Sequence, residues 1–137
     1  MKFSTSSRYA LRLLFELHRA NKAISMASLS VRTGINHKTL AAIHGVLKDK
    51  GVTTARIGAK GGLILLRPLR EISLGQVLEW FNDNIEISFC CGNKYCLSQH
   101  TVNFDQHSFW RKLSEGIQEK LNAIMLSDIV DASDDYL

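Results

Sequence analysis

Proline is almost absent from this 137-residue chain, where Pro68 is the only one. Apolar spacing, not proline, therefore decides where helices run, and one sharp stop is built in near mid-chain. Acids are scarce in the first half. Residues 1–70 hold 13 Lys or Arg against two acids, Glu16 and Asp49, a surplus of +11; residues 71–137 hold 4 basic and 11 acidic residues, a balance of −7. No apolar run approaches the roughly 20 residues of a membrane span. Arg12 and Glu16 interrupt the leucines of "MKFSTSSRYALRLLFELHRA", which removes the hydrophobic heart of a secretion signal. Cysteine is confined to Cys90, Cys91 and Cys96, and an odd count in one stretch argues against a fully paired disulfide framework. A cytoplasmic protein without a membrane partner is expected.

The residues that are present point to one folded domain with an accessory element. Hydrophobic residues make up 45% and charged residues 22%, enough apolar surface to form a core. Tyr9, Ala10, Leu13, Leu14 and Leu17 recur at helical spacing, so residues 5–20 read as an amphipathic helix. Ser25 can cap a short second helix, Met26 to Thr33. "TGIN" supplies a turn, with Gly34 suited to a left-handed conformation and Asn36 to capping a third helix. That helix is "HKTLAAIHGVLKDKG", with Leu40, Ile43, Val46 and Leu47 inward. Two such helices joined by a short glycine turn form a helix-turn-helix. "VTTARI" and "LILLR", separated by "GAKGG", read as a hairpin that Pro68 ends. Ser73 caps a fourth helix, "SLGQVLEWFN". Phe109, Leu113, Ile117, Leu121 and Ile124 then mark one long helix over 108–125, with no element left to cover its stripe fully.

The expected fold is mostly α with a small β wing, a winged helix-turn-helix followed by a long C-terminal helix. Its basic half faces a polyanion, and double-stranded DNA is the first candidate. The N-terminal end of the third helix would enter a major groove about 12 Å wide. His37, Lys38 and Thr39 are the residues placed to reach base edges there, and Asn36 at the cap joins the DNA-binding set. Lys2, Ser4, Arg8 and Lys48 suit phosphates, which supply affinity more than sequence information. Arg56 and Lys60 on the hairpin would meet the backbone or minor groove. Gly45, inside the third helix, costs about 1 kcal/mol against alanine, and close approach of a neighbouring helix would justify it.

"RYALRLLFEL", "GINHKTLAAIHGVLKDKGV", "GAKGG" and "EISLGQVLEWF", in this order, closely resemble the bacterial regulator family that includes IscR, NsrR and CymR. The resemblance spans roughly residues 1–82 and resumes at "FWRKLSEGI". It implies a homodimeric transcription factor, expected to act as a repressor, that binds a near-palindromic operator and pairs through its long C-terminal helix. The implied organisation is a DNA-binding domain over 1–82, a cysteine-containing sensor loop over 83–106, and a dimerisation helix and tail over 107–137. Ile57 stands where the family has arginine, Leu63 where it has an aromatic, and Ala41 where IscR has a glutamate that discriminates operators. The operator of IscR is therefore not expected to be inherited unchanged.

The resemblance also implies an iron–sulfur cluster in the cysteine loop. Cys90 and Cys96 match the first two family ligands, and His107 matches the family histidine; the third cysteine would fall near Val102, and Cys91 is extra. Thiolates favour clusters, and histidine can replace a cysteine at iron. Cys90, Cys91, Cys96 and His107 are the candidate metal ligands. Zinc could use the same donors. A thiol–disulfide switch joining Cys96 to Cys90 or Cys91 is the main competitor, and an inert remnant of a lost cluster is the bland reading. A cysteine–histidine enzyme is disfavoured: no oxyanion-stabilising motif accompanies the thiols, and "GAKGG" lacks the ending and length of a phosphate loop.

Overall fold

Ser4 opens the first helix: its side chain accepts a hydrogen bond from the Ser7 N–H, and α1 (Thr5–Ala20) continues until Asn21 turns left-handed at φ 48°. A computed structural model describes residues 2–83 and 106–134. The next two helices start the same way. Ser25 caps α2 (Met26–Thr33) and Asn36 caps α3 (His37–Asp49). Leu13, Leu14 and Leu17 from α1 meet Leu29 from α2 and Leu40, Ile43 and Leu47 from α3, all buried in one cluster. Each buried leucine contributes about 1.5–3 kcal/mol, so this three-helix contact is a large part of the domain's cohesion.

The hairpin is present and antiparallel. β1 (Thr53–Arg56) pairs with β2 (Gly62–Leu65), Thr53 opposite Leu65 and Arg56 opposite Gly62. Val52, Thr53 and Leu63 face the core, while Arg56 and the loop after it face solvent. The link between α1 and α2 joins this sheet. Ile24 donates to the Leu63 carbonyl at 3.0 Å and accepts from its N–H at 2.8 Å. This contact explains Gly62, whose φ is 149° and where a Cβ would overlap the backbone of Ile24.

Strand β2 ends at Leu65, before Pro68, which instead leads into a single 3₁₀ turn, Leu69–Glu71. Ser73 and Gln76 then form a reciprocal capping box for α4 (Leu74–Trp80), worth about 1 kcal/mol. The expected helix over 108–125 is α5 (Gln106–Ala123), and a further helix, α6 (Leu126–Asp134), stands where only a tail was expected. The break has a tertiary cause. The Leu74 N–H donates to the Ile124 carbonyl at 2.8 Å and the Leu126 N–H to the Ile72 carbonyl at 2.9 Å, so residues 124–126 lie along 72–74 as an antiparallel bridge. Asp128 accepts from the Met125 N–H at 3.1 Å and restarts the helix.

Packing covers the stripe of α5 only in part, as expected. Leu121 is buried in the shared core, and α6 adds buried Leu126 and Val130. Only the first half of α5 carries exposed large apolar residues, Phe109 at 58% and Leu113 at 40%. Gly45 gains no support from a neighbouring helix: a Cβ there would meet nothing within 4 Å. The fold offers no account of that glycine. The architecture is mostly α with a small β wing, in the order of a winged helix-turn-helix. Among the described residues no helix is long and apolar enough to cross a membrane.

Candidate nucleic-acid interface

The turn that aims α3 is held from three sides. Gly34 leaves α2 left-handed at φ 70°. The Arg12 Nη1 of α1 donates to the Thr33 carbonyl at 2.8 Å, and the Ser30 Oγ donates to the Ile35 carbonyl at 2.7 Å. The Thr33 hydroxyl donates to the Leu29 carbonyl at 2.7 Å and accepts from the Ile35 N–H at 3.3 Å. Ile35 itself is buried. These bonds satisfy the polar groups that the turn frees, and the angle between α2 and α3 is set by them rather than by a flexible joint. Arg12, Ser30 and Thr33 escape a motif search because each looks like an ordinary helix residue. The one local signal is the hydroxyl of Thr33 directly before Gly34.

From that turn α3 presents His37, Lys38, Ala41, Ala42 and Lys48 to solvent, while Thr39 beside them is half-buried. The Asn36 Oδ1 accepts from the Thr39 N–H at 2.9 Å, so Asn36 serves the cap with its side chain. His44, which the helical wheel places on the same outer face, is half-buried instead. Its Nδ1 lies 3.0 Å from the hydroxyl of buried Thr53, tying α3 to β1. Burial, and then the nearby Lys48 charge, push its pKa below the usual histidine value. It is therefore neutral at pH 7, and it braces the wing instead of adding charge to the outer face.

Two further patches flank α3. On the wing, Arg56, Ile57 and Lys60 are exposed, and Ile57 is in full contact with water. At the start of α1, Lys2 and Arg8 are exposed, the Arg8 Nη2 resting 3.2 Å from the Thr5 hydroxyl. Ser4 is engaged on several sides: its Oγ accepts from the Ser7 N–H at 3.1 Å and donates to the Ser7 Oγ at 3.3 Å, and its own N–H donates to the Asp83 carboxylate at 3.0 Å. Burial raises the Asp83 pKa, but hydrogen bonds from Ser7 and Ser4 outweigh it, and the net direction is down. A negative charge at a helix N-terminus is also favoured by the helix dipole.

Asp83 is the last described residue before the cysteine stretch. Cys90, Cys91 and Cys96 lie outside the described residues, and of His107 only its place in the first turn of α5 lies within them. Among the described residues, no group of three or more His, Cys, Asp or Glu stands close enough together to hold a metal ion.

Known proteins are similar to this chain in sequence and in fold. Residues 3–132 match the model of the family described as "Rrf2: Iron-dependent Transcriptional regulator". The chain is 31% identical to the ORF2 protein of Azotobacter vinelandii, a putative HTH-type transcriptional regulator, across 98% of this chain and 82% of that one. It is 29% identical to the HTH-type transcriptional regulator IscR of Serratia proteamaculans, with the same coverage of both. Among solved structures, CymR of B. subtilis, titled the global cysteine regulator, superposes with a TM-score of 0.76 at 20% identity, covering 96% of this chain and 98% of that one. IscR of T. potens gives 0.71 at 24% identity, covering 97% and 88%. The fold is theirs. With the family model spanning nearly the whole sequence, the chain belongs to the Rrf2 family of transcriptional regulators.

Proposed function

We propose that this chain acts as a homodimeric, DNA-binding repressor in the cytoplasm, reading a near-palindromic operator and carrying no catalytic activity. One observation carries the reading: an exposed His37–Lys38 edge at the start of α3, braced by a fully bonded turn, lies in a segment of +11 charge with Arg56 and Lys60 on the wing. His37, Lys38 and Thr39 read base edges, with Asn36 fixing the helix end they share. Lys2, Ser4, Arg8 and Lys48 contact phosphates, Ser4 through the end of α1 that it caps. Arg56 and Lys60 track the adjacent backbone or minor groove. Residues 1–82 form the reading domain, 83–106 the sensor loop, and 107–137 the pairing helix and tail. Exposed Phe109 and Leu113 support pairing through α5.

The sensor loop holds an iron–sulfur cluster on Cys90, Cys91, Cys96 and His107. The donor set fits: three thiols and one imidazole within 18 residues are soft ligands suited to cluster iron. A bound cluster supplies a redox-sensitive, losable charge. The protein's own part is to pass the state of the loop through Asp83 to Ser4 at the head of α1. Adjacent Cys90 and Cys91, with Val102 where a third family ligand would stand, favour a second reading in which the same thiols act as a disulfide switch.

The test is selection of binding sequences from a random duplex pool, followed by footprinting. Two symmetric half-sites about one helical turn apart support the reading; a single unpaired footprint, or no enrichment, overturns it. Anaerobic purification with iron and acid-labile sulfide analysis separates cluster from thiol switch.

A further inference from the structure

The last turn of α1, the link to α2 and the outer face of the wing enclose an open cleft of about 460 Å³. Its apolar lining includes half-buried Ile64 and 53% exposed Leu66. Its rim is basic: His18, Lys22, Arg56 and Arg67 line it, and no acidic side chain does. Among the described residues neither Lys22, Arg56 nor Arg67 has an ion-pair partner, the two ion pairs being those of Arg19 and Arg32 with Glu16. The Arg67 Nη2 donates to the Glu71 carbonyl at 3.0 Å, which leaves its charge uncompensated.

Volume and lining together set the class of ligand. Cavities that hold small organic molecules run from about 300 to 1,000 Å³. A lone inorganic anion would leave most of this one to water. Three cations without a counter-acid select negative charge, while Leu66 beside them gains only if an apolar group covers it. A simple sugar or a cation meets neither requirement. We propose that the cleft binds a small amphipathic carboxylate, its charged end against Lys22 and Arg67 and its hydrocarbon part over Ile64 and Leu66. This site lies apart from the cysteine loop and from the face of α3. Arg56 is shared with the proposed DNA surface, so an occupied cleft competes with DNA for its charge. That consequence rests on the proposed function; the binding itself does not.

Sodium octanoate is titrated into the full chain without DNA while backbone amide resonances are monitored by NMR. Saturable shifts are expected at residues 17–23 and 64–67. Replacing Lys22→Gln and Arg67→Gln together should weaken binding about tenfold, in line with two partly exposed ion pairs, and lower the Tm by only about a few degrees, the scale of the one exposed hydrogen bond lost with Arg67. Inorganic phosphate and 1-hexanol each carry half of the required chemistry and should bind about tenfold more weakly than octanoate. Phosphate equal to octanoate would make the cleft a plain phosphate seat and overturn the proposal. Hexanol equal to octanoate, shifts that never saturate, or a double variant of unchanged affinity would overturn it too. Should the double variant fold poorly, Lys22→Gln alone and the three probes on the wild-type chain decide. With DNA left out, failure here says nothing against operator reading.

Discussion

The Asp83 carboxylate accepts a hydrogen bond from the Ser4 N–H at 3.0 Å, across 79 positions of sequence. It joins the residue at the edge of the cysteine stretch to the cap of α1, beside Lys2 and Arg8. Asp83→Asn should cost about 1 kcal/mol at pH 7, the scale of a partly exposed anion at a helix N-terminus. The lowered pKa fixes the sign of the pH effect. A carboxylate held below its unfolded value stabilises the fold above about pH 4, and that contribution disappears as pH falls through the folded pKa. Urea unfolding at pH 7 and pH 3 checks this: the gap between wild type and Asp83→Asn should narrow in acid.

His44 gives a second pH handle on the same domain. Its pKa is depressed, so between that value and about 6.5 the unfolded chain binds more protons than the folded one. Stability should therefore fall as pH drops from 7 to 5. In His44→Gln this segment of the pH profile should flatten, and Thr53→Val should cost about 1 kcal/mol by stranding the ring nitrogen it meets. Denaturant midpoints at half-unit pH steps measure both.

Capping and reading can be separated at Asn36. Asn36→Ala should lose about 1 kcal/mol of stability along with α3's first turn. Asn36→Asp keeps a capping oxygen and adds a negative charge facing the operator. Its Tm should stay near wild type while DNA affinity drops by at least about tenfold. Affinity equal to that of the wild type would remove this helix end from the contact surface.

Pairing through α5 is tested at its exposed half. Phe109→Glu with Leu113→Glu places charge on the two large apolar side chains that α4 and α6 leave in water. Sedimentation should report a monomer with unchanged helicity. A dimer that survives both changes would place the interface elsewhere.

Local rules account for much of this fold. Ser4, Ser25, Asn36 and Ser73 each precede an apolar helical pattern, and each caps the helix it announces. The core of α3 is equally legible, because Leu40, Ile43 and Leu47 keep one period. The second helix α6 is not, since the bridge that sets it off from α5 has its partners at Ile72 and Leu74, far away in sequence. Gly62 reads as a hairpin glycine but is required by the backbone of Ile24. The same limit hid the roles of Arg12 and Asp83, whose partners are carbonyl and N–H groups that no side-chain pattern records.

The central claim is electrostatic reading by α3 and the wing, and salt tests it most directly. Fluorescence anisotropy on a duplex recovered by selection should show log affinity falling linearly and steeply with log salt concentration. Lys38→Ala with Lys60→Ala should weaken binding, Lys38 by loss of a base contact, and make that slope shallower by about one for the backbone-facing charge of Lys60. A flat response in the wild type, or the same slope and affinity in the double variant, would contradict the account.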